Sequence, residues 1–130
     1  MKKKITVSVL TVLVCMVFVF QGHAANTITG GKNTCTVESI DSDWKFSDCP
    51  TMSRNCQRVQ AIVINPGAAG DVFFFRSGDS ANGAQIFPNM ASDETDQRVL
   101  YFNGSKVCIT YDHSESTVSS GGFFHVIFAD

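Results

Sequence analysis

The scarcity of leucine limits the kinds of fold that this chain can adopt. Beyond residue 24 there is one leucine, Leu100, beside eight valines, seven isoleucines and nine phenylalanines. β-Branched and aromatic side chains pack well on pleated strands, whereas leucine, lysine and glutamate are common helix formers. This region has no apolar stripe of helical period long enough to form a helix. The composition therefore predicts an all-β protein.

Turn-forming residues divide the same region into seven or eight short candidate strands. Glycine, proline, asparagine, aspartate and serine separate the apolar runs. These runs are 34–40, 44–46, 58–65, 71–76, 84–88, 98–103, 106–112 and 123–129. We expect one hairpin to join 58–65 to 71–76, and a turn at Gly104-Ser105 to join 98–103 to 106–112. The pattern is typical of a small, single-domain antiparallel β-sandwich.

Two of the apolar runs do not alternate with polar residues. They are 61–64 and 72–75, and the last strand has a similar character. Strands of this kind are either buried on both faces or carry an apolar outer face. The sequence leaves these two alternatives open.

The N-terminal segment has the three parts of a secretory signal peptide. Three lysines directly after Met1 are followed by an apolar run at 5–20, and small residues lie at positions −3 and −1 of a cut after Ala24. We expect a signal peptide at 1–24 and a mature domain at 25–130 that is secreted or periplasmic. An uncleaved anchor or a lipoprotein is the alternative interpretation.

The charge of the expected mature domain excludes some partners. Residues 25–130 carry 7 basic and 12 acidic residues, a net charge of −5, and no basic run. Nucleic acid is therefore not an expected partner. No apolar stretch of this domain approaches the length of about 18 residues that a membrane helix needs, so we expect no membrane association after cleavage.

Four cysteines follow the predicted cleavage site. They are Cys35, Cys49, Cys56 and Cys108. An even number of cysteines in a small exported chain predicts disulfides rather than free thiols. There is no C-x-x-C pair, and neither His113 nor His125 lies at ligand spacing from a cysteine, so no metal site is expected. We predict that two disulfides stabilise the domain.

One pairing of these cysteines is favoured by the expected local structure. A hairpin centred on Ser42 would place Cys35 directly opposite Cys49, at the β-carbon separation that a disulfide needs. Cys56 would then pair with Cys108. The alternative is Cys49–Cys56 together with Cys35–Cys108.

The ionisable residues do not form a recognisable catalytic set. His113 lies between Asp112 and Ser114, but side chains adjacent on an extended strand point to opposite faces and cannot form a relay. His125 alternates with apolar residues in the last strand, and the acidic loop at 93–96 lacks the register of a calcium-binding loop. We expect no catalytic residues, no metal and no cofactor, and therefore a protein that is not an enzyme.

Three aromatic residues with polar tips are candidate ligand contacts. Trp44, Tyr101 and Tyr111 could stack on the rings of a glycan. The alternative is that they fill the small β core, as other aromatic residues of this chain would.

The order of segments in residues 59–128 resembles a known group of proteins. VINPGAAGDVFFF is followed by FRSGDSANGAQIFP, a polar loop, RVLYFNGSKVCITYD and a Ser/Gly-rich loop before the last strand. This region is similar to small β-sandwich proteins of tailed-phage structural modules. The resemblance implies a non-catalytic sandwich that packs against a partner. The leader and the segment 35–56 depart from that pattern, and no functional residues are carried over.

These observations predict an exported, non-catalytic β-sandwich that acts by binding a protein partner or by self-assembly. Two alternatives belong to other classes of function. One is a module that binds a glycan or a cell-wall ligand. The other is a small secreted enzyme inhibitor that inserts a loop, 77–83 or 113–122, into the cleft of its target.

Overall fold

The computed structural model describes residues 26–78, 82–86, 90–91 and 96–130. Within these residues the chain forms nine strands and one short 3-10 turn at Phe46–Asp48. The strands are β1 (Thr27–Gly30), β2 (Thr34–Glu38), β3 (Trp44–Lys45), β4 (Cys56–Asn65), β5 (Val72–Phe73), β6 (Phe75–Ser77), β7 (Met90–Ala91), β8 (Arg98–Tyr111) and β9 (Phe123–Phe128). The all-β prediction is confirmed. The predicted signal peptide at 1–24 lies outside the described residues.

Seven of the described strands form one antiparallel sheet. Its order is β1-β2-β9-β4-β8-β3, with β6 also paired to β8, and β5 and β7 pair separately. Strand β4 is central, between β8 and β9. Its non-alternating run fits this position, because Ile62 and Ile64 are buried and Val63, on the other face, is half-buried.

Strand β8 changes neighbours along its length, and this change curls the sheet. Residues 98–108 lie beside β4, whereas 109–111 lie between β3 and β6. Strands that pass from one sheet to another form the corners of small β proteins. The sheet therefore curves over one core as a half-barrel. The division into two separate layers, as in a sandwich, stays a prediction.

The hairpins predicted for 58–76 and 98–112 are wrong. The run 71–76 does not pair with 58–65; it is divided into β5, which pairs with β7, and β6, which pairs with β8. Residues 98–103 and 106–112 belong mostly to one continuous strand, β8. Short connections favour pairing between strands that follow one another in the sequence. Strand β4 instead pairs on both sides with segments that are distant in the sequence, β8 and β9.

A bulge replaces the turn that was expected at Gly104. The pairing of β4 with β8 passes from Val59–Ser105 to Ala61–Tyr101, so extra residues of β8 are accommodated there. Asn103 and Gly104 have φ values of 53° and 77°, a left-handed backbone that asparagine and glycine adopt most readily. The Asn-Gly pair thus bends a long strand instead of reversing it.

Both disulfides have the predicted pairing. Cys35 is bonded to Cys49 and Cys56 to Cys108. The predicted hairpin around Ser42 is nevertheless wrong, because β2 pairs with β1 and β9 while β3 pairs with β8. The first disulfide instead joins β2 to the residue after the 3-10 turn.

The core is built around the ring of Phe124 in β9. Its centroid lies 4.9 Å from that of Trp44, 5.3 Å from that of Phe75 and 5.4 Å from that of Tyr111. These partners come from β3, β6 and the end of β8, the strands on the far side of the corner. Aromatic contacts across the fold therefore connect the two halves of the curled sheet.

Candidate interaction surface

The structure does not bring the three predicted ligand contacts together. Trp44 and Tyr111 are 1% and 0% exposed, and both lie in the core. Burial raises the pKa of Tyr111 to about 12, and nearby carboxylates act in the same direction. Tyr101, in contrast, is 72% exposed. A three-ring glycan platform is therefore not formed, because two of its rings stabilise the interior.

Tyr101 belongs to an apolar patch on the outer face of the sheet. We define the outer face by Val99 and Tyr101 of β8, Val63 of β4, and His125 and Ile127 of β9. Val63 pairs with Val99 on one side and His125 on the other. Tyr101 and Ile127 likewise pair with the two sides of Ala61 in β4. Val99 and Tyr101 are the large hydrophobic residues most exposed among those described. For the run 61–64 and for the last strand, this favours an apolar outer face over burial on both faces.

The same part of β8 is an open sheet edge. Residues 98–101 and 105–107 pair with β4 on one side, and no described strand pairs with them on the other. An open edge presents unpaired main-chain N–H and C=O groups, which can bind another extended segment. The edge carries two cations, Arg98 and Lys106, and no acidic residue. No ion pair involves either cation within the part of the chain that the structure describes.

Strand β1 forms the opposite edge of the sheet and has acidic residues near its start. Strand β1 pairs only with β2 among the described strands, so its other side is open. Glu38 lies beside Thr27 in the β1–β2 pairing. The Asn26 side chain forms hydrogen bonds with the main chain of the loop that follows β2. These bonds hold Asp41 and Asp43 next to the start of β1. Three acidic residues therefore lie near one end of this edge, and one of them, Asp43, accepts a hydrogen bond from the His113 N–H.

A polar groove lies between the end of β2 and the turn before β9. It consists of two adjoining clefts of about 200 Å³ and 290 Å³, which share Ser39, Gly121 and Gly122. Glu38 and Phe123 line the larger cleft. Ser39 has a φ of 48°, an uncommon conformation for a residue with a side chain. Hydroxyl and main-chain groups make up most of the lining.

The Asp71 carboxylate connects the loop at 66–70 to the loop at 113–122. Its carboxylate accepts hydrogen bonds from the Gly67 and Ala68 N–H groups and from the N–H and hydroxyl of Ser119. Burial alone would raise the pKa of Asp71, but these hydrogen bonds outweigh it and hold the pKa below its ordinary value. The loop 113–122 is therefore fixed at its centre, and 77–83 lies partly outside the described residues.

The residues around His113 do not form a catalytic relay. The Asp112 carboxylate accepts a hydrogen bond from the Ser114 hydroxyl at 2.6 Å. It also forms an ion pair with Arg76 at 2.6 Å. Burial would raise the pKa of Asp112, but Ser114 and Arg76 together lower it. The main-chain N–H of His113 donates to Asp43 instead. The contacts of the Asp112 carboxylate are therefore those of a residue that stabilises the fold.

The Thr36 hydroxyl and the His125 Nδ1 lie 2.6 Å apart on the outer face. The loop 93–96 lies outside the described residues except for Asp96. Within the described ranges, no group of three or more histidine, cysteine or acidic residues could hold a metal ion. The same ranges contain no helix with the length and hydrophobicity needed to cross a membrane.

Comparison with known proteins found no matching family model, and neither curated proteins nor solved structures gave a significant match. The resemblance of residues 59–128 to phage β-sandwich proteins therefore stays a hypothesis. The candidate interaction surface therefore rests on the structure of this chain alone. The sequence did not predict the order of the strands in the sheet, because nothing in a strand's own residues states which strands will lie beside it.

Proposed function

We propose that this chain is an exported, non-catalytic interaction module that binds another protein or further copies of itself through the outer face around Tyr101. The observation that carries the proposal is the apolar patch of the outer face, on which Tyr101 is 72% exposed. Aromatic residues in the centre of a surface supply most of the binding energy in many interfaces. The outer face extends this apolar area onto β4 and β9.

The two disulfides support export, because they indicate an oxidising environment. A secreted or periplasmic location after loss of residues 1–24 is part of the proposal. A role without catalysis is also part of it. The buried carboxylates described above, Asp71 and Asp112, are both satisfied by hydrogen bonds that fix loops, so neither is available to a substrate.

Site-specific photo-crosslinking tests this proposal. The full chain is exported from an expression host with a photoreactive amino acid in place of Tyr101, and a matched sample carries it at Ser53, an exposed loop residue. We expect discrete crosslinked products from position 101 and none from position 53. An exported, disulfide-bonded protein that gives no crosslink from position 101 contradicts the proposal.

The polar groove favours a second candidate function, the binding of a glycan. Its serine hydroxyls, its main-chain groups and the Glu38 carboxylate are suited to sugar hydroxyls, and Phe123 offers a ring face. The test is binding to a glycan array and to soluble peptidoglycan fragments. Ser120→Trp should fill the groove and abolish binding, whereas Ser53→Trp should leave it unchanged. Background signals for the unmodified protein would exclude this function.

A further inference from the structure

The two disulfides of this chain differ in their access to solvent. Cys56 and Cys108 are both half-buried, whereas Cys35 and Cys49 are 0% and 3% exposed. Thiol exchange requires that a thiolate reach a sulfur atom. We propose that Cys56–Cys108 is a site of reversible thiol exchange, at which a negatively charged thiol opens the bond while the rest of the fold stays intact. This inference goes beyond the proposed interaction function and does not depend on it.

The strands that carry this disulfide are also paired by their main chains. Next to the bond, β4 and β8 continue in register over three residue pairs, 57–59 with 105–107. The Cys108 carbonyl accepts a hydrogen bond from the Gly78 N–H at 2.8 Å. The other disulfide lies elsewhere, between β2 and the residue after the 3-10 turn. Opening of Cys56–Cys108 therefore removes a local constraint and leaves the pairing of the two strands in place.

Two cations lie beside the disulfide on one face of the sheet. Arg58 and Lys106 are directly opposite each other, two residues along each strand from the bonded cysteines. Side chains two residues apart on a strand point to the same face. The Arg58 guanidinium donates to the main-chain oxygens of Gly104 and Asp130. Lys106 is exposed and has no ion-pair partner among the residues that the structure describes, so it is available to an incoming anion.

These charges favour a negatively charged thiol as the reagent. A thiolate attacks the bond and a second thiolate leaves, so a cation beside the sulfur atoms stabilises the charge on both. The 12 acidic and 7 basic residues of 25–130 repel anions as a whole. Salt screens exposed charges beyond about 8 Å at physiological ionic strength. The cations next to the disulfide therefore have a larger effect than carboxylates elsewhere on the surface.

The exchange with glutathione, an anionic thiol, has two balanced steps. In the first, a glutathione thiolate attacks one sulfur, the S–S bond breaks, and the other cysteine leaves as a thiolate that takes up a proton. In the second, another glutathione thiolate attacks the mixed disulfide and releases the remaining cysteine together with oxidised glutathione. Two glutathione molecules are oxidised and one protein disulfide is reduced. An excess of oxidised glutathione reverses both steps.

Incubation of the exported, disulfide-bonded protein with reduced glutathione tests the site. Free thiols are alkylated at successive times and located by peptide mass, and the fluorescence of the same samples is recorded. Trp44 is the one tryptophan of the chain and is buried, so its emission reports whether the core stays closed. We expect reduced Cys56 and Cys108 with unchanged emission, and re-formation of the bond by oxidised glutathione. A bond that does not open, does not re-form, or opens only together with a shift of the emission overturns the proposal.

A charge variant tests the preference for an anionic thiol. The quantity measured is the rate of opening by glutathione divided by the rate with cysteamine, a cationic thiol. Changes in stability or access affect both thiols alike and cancel in this ratio. Lys106→Gln should lower the ratio by about 2- to 5-fold, the effect expected for one exposed charge.

Arg98→Gln is the matched control, because it removes the same charge from an exposed position at the other end of β8. It should leave the ratio unchanged. If Lys106→Gln does not alter the ratio, or if both variants lower it equally, the local cation does not select the thiol, and the assignment of a negatively charged reagent is wrong.

Discussion

Cys56 and Cys108 lie directly opposite each other on the neighbouring strands β4 and β8, with Cα atoms 4.1 Å apart, and their side chains form a disulfide. The bond lies at the point where β8 leaves β4 and passes between β3 and β6. It therefore fixes the corner of the sheet. Both cysteines are half-buried, in contrast to Cys35 and Cys49, which are 0% and 3% exposed.

This difference in burial predicts the order in which the disulfides are reduced. Exchange with a thiol requires access to a sulfur atom. We expect mild reductant to open Cys56–Cys108 before Cys35–Cys49. Alkylation at successive times, followed by peptide mass analysis, measures the order. Simultaneous loss of both bonds would show that opening follows global unfolding rather than local access.

Acid should destabilise the protein through two buried carboxylates. The pKa values of Asp71 and Asp112 are lowered in the folded chain, so the ionised carboxylates stabilise the fold at neutral pH. This stabilisation is present above the unfolded pKa of about 3.9 and is lost as pH falls through the lower folded value. Denaturant unfolding at several pH values should show stability decreasing below about pH 4.

Single substitutions test the source of this acid sensitivity. Asp71→Asn should lower stability at pH 7 and flatten the acid slope, because its amide cannot gain the charge-assisted hydrogen bonds from Ser119 and Gly67. Glu115→Gln, at an exposed position, should leave both quantities unchanged. If Asp71→Asn leaves the loss of stability at low pH unchanged, other carboxylates are responsible for that loss.

A methyl group at Gly67 should be costly. A Cβ there would lie 2.6 Å from the Gly122 nitrogen and 2.7 Å from the Ser120 carbonyl oxygen, and both are main-chain atoms. Gly67→Ala should therefore destabilise the fold by about 1–3 kcal/mol, as overpacking does. Gly31→Ala is the control, since its Cβ would meet only the Thr34 hydroxyl at 3.7 Å. Thermal melts of the two variants measure the difference, and equal melting temperatures would contradict it.

Two aromatic residues of opposite burial should respond differently to truncation. Phe124→Ala removes the ring at the centre of the core and should cost about 3–5 kcal/mol. Tyr101→Ala should change stability by less than about 0.5 kcal/mol, because its ring is mostly in solvent. Urea unfolding gives both values. A large loss on truncating Tyr101 would indicate a structural role for that ring and weaken its role in binding.

The predictions that held depend on local residue preference. Branched and aromatic side chains favour strands wherever they occur, so the all-β class could be read from the leucine-poor composition. The positions of β4 and β9 could also be predicted, since each is a single apolar run between turn residues. The disulfide pairing was predicted correctly although the hairpin on which it was based is absent.

The predictions that failed concern which strands lie side by side. Asn103-Gly104 can end a strand or form a bulge within it, and the choice depended on β4 as a partner for both halves of β8. Similarly, the run 71–76 contains no signal that sends β6 to β8 rather than to β4. Such pairings connect residues far apart in the chain, so neighbouring residues cannot specify them.

An all-β domain with paired cysteines follows from residue type and number, so both properties can be read from the amino-acid sequence. The burial of Trp44 and Tyr111 and the exposure of Tyr101 depend on the folded chain. The alternation of a strand assigns side chains to two faces, but it does not say which face the rest of the chain covers. That choice is made by the curvature of the whole sheet over Phe124.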